Sequence, residues 1–108
     1  MIEQIIHKID EESGKEKHVP YIQVNNNIVT IKCGKDIMHP SLENHYIVWM
    51  KLYGEDLKGN IRELGSANPT PVLAQPVISF QIELKEFKRL IAVIYCNIHG
   101  IWQNEKII

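Results

Sequence analysis

The chain has 108 residues, 44% of them hydrophobic and 23% charged, with a formal net charge of −1. That balance is ordinary for a globular domain, and 108 residues allow one domain, residues 1–108, with a modest core. Near-neutral charge argues against a nucleic-acid partner bound through a field of Lys and Arg. No apolar run approaches the ~20 residues that a membrane-spanning helix needs.

The N-terminal stretch MIEQIIHKIDEESGKEK carries acidic residues where a secretory signal needs a basic start and a longer apolar segment, so a cytoplasmic location is expected. Its first ten residues suit either a helical turn or an edge strand. ESGKEK, Glu12 to Lys17, is polar, contains Gly14 and lacks periodicity, which predicts a mobile surface loop. After it, Pro20 holds Val19 extended. PYIQVN and NIVTIKCG flank Asn25–Asn27 and predict a hairpin turning on the asparagines.

HYIVWMKLY (His45–Tyr53) and RLIAVIYC (Arg89–Cys96) are rich in β-branched and aromatic residues and read as well-buried strands. Between them, Gly54, Gly59, Gly65 and the cluster Pro69, Pro71 and Pro76 predict turns. VISFQIELKEF alternates, with Ile78, Phe80, Ile82 and Leu84 on one face, as a half-buried strand does. Short strands with turns and no internal helix predict an all-β fold, an antiparallel sandwich or barrel.

Chemistry-bearing residues gather at the predicted strand ends and turns. His18 follows the polar loop, His39 lies in the turn MHPS, His45 opens a strand, and Cys96 and His99 share the last turn beside Gly100. Singly, each has a bland explanation, and Cys96 and His99 taken alone are mere neighbours before they are a metal site or a nucleophile with its base. Together they make a donor set at the places where ligands are usually presented. Several neutral imidazoles and one thiolate suit iron, zinc or copper. Five candidates are one too many for a closed zinc tetrahedron, and no CxxC pair offers a zinc ribbon. The mixture favours one-electron chemistry. Cys33 reads as a small buried hydrophobe, and His7 as an exposed histidine with no role. Trp49 and Trp102 read as core and rim residues, with Trp102 placed to shield the cysteine side of a site.

Three segments carry a family resemblance: EKHVP (Glu16–Pro20), HPSLENHYIVW (His39–Trp49) and YCNIHGIW (Tyr95–Trp102). In order and spacing they resemble the signature segments of the superoxide reductases, in particular the one-iron neelaredoxins and the iron-binding domain of desulfoferrodoxin. The likeness spans roughly residues 10 to 103. It implies an immunoglobulin-like antiparallel β-sandwich bearing one mononuclear iron. The implied ligands are the imidazoles of His18, His39, His45 and His99, with Cys96 as axial thiolate. It also implies an open position opposite the sulfur that receives superoxide. There, Glu16 would cap the oxidised site and Lys17 would supply positive charge. The implied reaction is one-electron reduction of superoxide to hydrogen peroxide. The electron would come from a small redox protein such as rubredoxin, and the assembly would be a homo-oligomer, dimer or tetramer.

The chain departs from the pattern at Ser41, where HPM is commoner, at Asn44, and in LGSANPTP, where a Pro-Gly turn is usual. None of these is an implied ligand. The cysteine-rich domain of two-iron members is absent from this sequence, so no second iron is expected. The competing readings are a metal module serving structure or electron transfer without superoxide reductase activity, and a metal-free immunoglobulin-like interaction domain.

Overall fold

A computed structural model describes residues 6–7 and 18–108. Within these residues, eight strands form two sheets: β1 (Ile6–His7), β2 (Pro20–Asn25), β3 (Ile28–Cys33), β4 (Ile47–Asp56), β5 (Ile61–Ala67), β6 (Val77–Gln81), β7 (Phe87–Cys96) and β8 (Gly100–Ile107). The larger sheet runs β1-β8-β7-β4-β5 and the smaller β2-β3-β6. All pairings are antiparallel except that of the short β1 with β8. Among the described residues there is no α-helix, only a 3₁₀ turn at Leu84–Glu86. None of their helices is long and apolar enough to cross a membrane. The expected all-β, immunoglobulin-like sandwich is the fold found.

Period-2 alternation builds the core. On β7, Leu90, Ala92, Ile94 and Cys96 are all fully buried; on β3, Val29, Ile31 and Cys33 are too. They meet Met50 and Leu52 of β4 between the sheets. Each buried Val, Leu, Ile or Met side chain among them contributes ~1.5–3 kcal/mol. The same alternation that buries Leu90 and Ile94 points the Cys96 thiol inward at the strand's end. Gly65 of β5 is required for the sheets to close, because a Cβ there would stand 2.5 Å from the Phe80 ring.

The Asn hairpin is as read, with a two-residue turn at Asn26-Asn27 and Asn26 in the left-handed region at φ 57°. Other boundaries shift. Of the first ten residues, Ile6–His7 are described, and they form an edge strand. The strand expected from His45 begins at Ile47, because His45 instead closes a bridge with Leu42. The VISFQIELKEF strand ends at Gln81; Ile82 is buried beyond it, and the 3₁₀ turn then reverses the chain into β7. β5 occupies a stretch read as turns, and β8, which begins within the last motif at Gly100, was not anticipated.

Candidate metal centre

The site lies where β7 ends and β8 begins, facing the loops that carry His18 and His39. Cys96 and His18 are fully buried and His39 is nearly so, while His45 and His99 are partly exposed. The four imidazoles form a closed ring. Successive ring centroids lie 4.9 Å (His18–His39), 4.6 Å (His39–His45), 5.1 Å (His45–His99) and 4.5 Å (His99–His18) apart. Neighbouring planes are steeply inclined, at 68–83°, whereas His18 and His45, across the ring, are 6.2 Å apart and tilted by only 34°.

The donor atoms converge with the rings. One donor each from His18, His39, His45 and Cys96 lie within 4.8 Å of one another. His18 Nε2 is 2.9 Å from His99 Nδ1. Two imidazole nitrogens at right angles about a metal, each bonded at ~2.1 Å, would be roughly 3.0 Å apart. Cys96 Sγ lies 3.3 Å from His39 Nε2 and 3.8 Å from His99 Nδ1. A thiolate and an imidazole similarly arranged would be roughly 3.1 Å apart. The residues present therefore fit a single transition-metal ion with mixed nitrogen and sulfur donors.

Local chemistry prepares each donor. His39 Nδ1–H donates to the Pro40 carbonyl at 2.8 Å. A carbonyl only accepts, so this bond fixes the tautomer and leaves the Nε2 lone pair toward Cys96. The His39 backbone N–H donates to the Cys33 carbonyl at 2.9 Å. That carbonyl is available because Cys33 N–H donates to Pro76, which has no N–H to return the ladder bond. Cys33 also donates its thiol to the His18 carbonyl at 3.6 Å, so this buried residue does more than fill space. Of the amides near the sulfur, that of His99 donates to Cys96 Sγ at 3.4 Å, whereas that of Asn97 donates to the Tyr46 carbonyl.

Asn97 was missed as a site-building side chain. Its Oδ1 accepts from the Tyr46 N–H at 2.9 Å and its Nδ2 donates to the Asn44 carbonyl at 3.1 Å. These bonds staple the Cys96–His99 turn to the segment around His45. The available signal was an asparagine, a turn-capping residue, between two candidate ligands. Gly100, at φ 87°, then turns the chain into β8. Ser41, noted as a departure, anchors the His39 loop by donating to the Ala74 carbonyl and accepting from the Val72 N–H. Glu16 and Lys17 lie outside the described residues, as does the loop expected at Glu12–Lys17, and the His7 side chain is likewise not described.

The family model for desulfoferrodoxin matches residues 10–105. The chain belongs to the desulfoferrodoxin family. Among curated relatives, the superoxide reductase of Pyrococcus abyssi is 34% identical over 98 residues, covering 83% of this chain and 85% of that one. The neelaredoxin of Megalodesulfovibrio gigas is 32% identical over 111 residues, covering 84% and 85%. Among solved structures, the superoxide reductase (1Fe-SOR) of Giardia intestinalis superposes with a TM-score of 0.82 at 43% identity, over 87% of this chain and all of that one. Within this desulfoferrodoxin-family fold, the three resembling segments are also the three that bring the imidazoles and the thiol together.

Proposed function

We propose that this chain is a superoxide reductase whose iron is held by His18, His39, His45, His99 and Cys96. The observation that carries this reading is the closed ring of four imidazoles with one buried thiol against it. Neutral imidazoles leave the bound cation's charge intact while the thiolate donates electron density. Iron, when bound, supplies the single electron by cycling between its ferrous and ferric states. The balance per turnover is one superoxide, one electron and two protons giving one hydrogen peroxide.

The protein's own groups set the conditions for that step. The His99 amide, donating to the sulfur, orients Cys96 Sγ and would temper its electron donation to a bound metal. The bond from His39 to Pro40 sets the tautomer of the neutral ring, with its proton on Nδ1 and Nε2 facing the site. By motif, Lys17 would attract the superoxide anion and Glu16 would supply a carboxylate to the oxidised iron. Replacing Lys17 by Ala is expected to slow the bimolecular step about tenfold at low salt and flatten its salt dependence. An unaltered rate and salt slope would remove Lys17 from this role.

A single domain over residues 1–108, a cytoplasmic setting, a rubredoxin-like electron donor and a homo-oligomer, dimer or tetramer, complete the reading. Its test is product stoichiometry. The pre-reduced protein mixed with superoxide is expected to yield one hydrogen peroxide per superoxide consumed and no dioxygen. Equal amounts of peroxide and dioxygen would mean dismutation, and no consumption would leave a metal module without this activity.

A further inference from the structure

Trp102 sits on β8, opposite Ile94 on β7, and is 4% exposed. Its indole does two separate things. One face stacks on the His18 ring, with centroids 5.1 Å apart and planes 25° apart. Its Nε1–H donates to the His99 carbonyl at 3.1 Å. His18 and His99 are 81 residues apart in the chain, yet their ring nitrogens meet at 2.9 Å. One rigid, buried side chain thus touches the ring of one candidate ligand and the main chain of the other.

We propose that Trp102 is a positioning residue that locks His18 and His99 at their mutual donor spacing and favours the metal-loaded state. The proposal rests on the metal-centre reading above. Stacking restrains the tilt of the His18 ring, and the indole hydrogen bond restrains the turn that carries His99. An imidazole bound to a cation carries more positive charge than a free one. The electron-rich indole face therefore stabilises the loaded site more than the empty one. A residue that merely fills the core would contribute equally to both.

The test uses cobalt(II) as the probe, titrated into metal-free wild type, Trp102→Phe and Trp102→Leu, with visible spectra and apo thermal unfolding for each. Phe keeps an aromatic face but lacks the N–H, and Leu lacks both. Cobalt affinity is expected to fall by about 3- to 10-fold for Phe and by about 10- to 100-fold for Leu, the range seen when groups supporting metal ligands are removed. The sulfur-to-cobalt and ligand-field bands should shift in the same order. Unchanged affinity and spectra in both variants overturn the proposal. So does a loss in Leu that disappears once the unfolded fraction of apo protein is taken into account. Failure of the wild type to bind one cobalt per chain overturns the metal-centre reading itself, and is told apart by appearing in the unmutated protein.

Discussion

The two ends of the five-stranded sheet are built from the same strands but held by different chemistry. At one end, where β7 finishes at Cys96, buried and half-buried polar groups dominate: four imidazoles, a thiol, and hydrogen bonds to Asn97, Pro40 and Cys33. At the other, where β7 starts, Arg89 bridges Glu55 and Glu105 at 2.8 Å each, Lys88 reaches Glu55 at 3.6 Å, and Arg62 meets Asp56 at 3.1 Å. Those ion pairs stand in or near water, where each adds ~0–1 kcal/mol and exchanges easily. Buried polar groups at the Cys96 end cannot turn to solvent, so each must be held by a neighbour. The result is one end that fixes atoms and one that tolerates change.

Removing the central donor should break the site end most severely. Cys96→Ser is expected to abolish the sulfur-to-metal charge-transfer band and weaken iron binding by roughly 100-fold or more, read by metal analysis and visible spectra. A variant that kept the band would show that the sulfur is not a ligand.

A smaller effect is expected from Asn97→Ala, which cuts the staple between the Cys96–His99 turn and the His45 segment. Leaving the Tyr46 N–H without its acceptor should cost ~1–3 kcal/mol in denaturant unfolding. Metal affinity should fall by roughly tenfold as well. If stability falls while affinity holds, Asn97 supports the fold and not the ligand geometry.

The smallest change is expected at the far end. The Asn60 backbone N–H, donating to Asp56, holds its carboxyl below the usual carboxylate range, with Arg62 and the Lys58 N–H adding to the effect and partial burial opposing it. Because the folded pKa lies below the unfolded one, this stabilisation is present above the usual carboxylate range. It is lost as the pH falls through the folded value. Asp56→Asn should therefore reduce the acid sensitivity of the unfolding transition while leaving metal binding as in the wild type. Equal acid sensitivity in both proteins would deny Asp56 this part.

The legibility of the sequence divides along similar lines. Alternation made β6 readable, and β-branched and aromatic richness made β7 readable, although in the fold it is alternate residues of β7, Leu90, Ala92, Ile94 and Cys96, that face the core. β5 was hidden since its pattern is mostly exposed and its Gly65 serves the Phe80 ring instead of a turn. The five candidate donors were visible as residue types at turns, and the family segments put them in one set. What could not be read was the support around them. The freed Cys33 carbonyl depends on Pro76, and the Asn97 staple depends on backbone groups 51 and 53 residues away. Such partners are set by strand pairing, and no local spacing encodes them.

By the proposed reading, the four imidazoles and Cys96 would together hold one iron. Metal analysis of the purified protein, combined with its visible spectrum before and after oxidation, tests this most directly. About one iron per chain is expected, with a sulfur-to-iron band that appears on oxidation and bleaches on reduction. Zinc in place of iron, or a protein that takes up no metal, would contradict it.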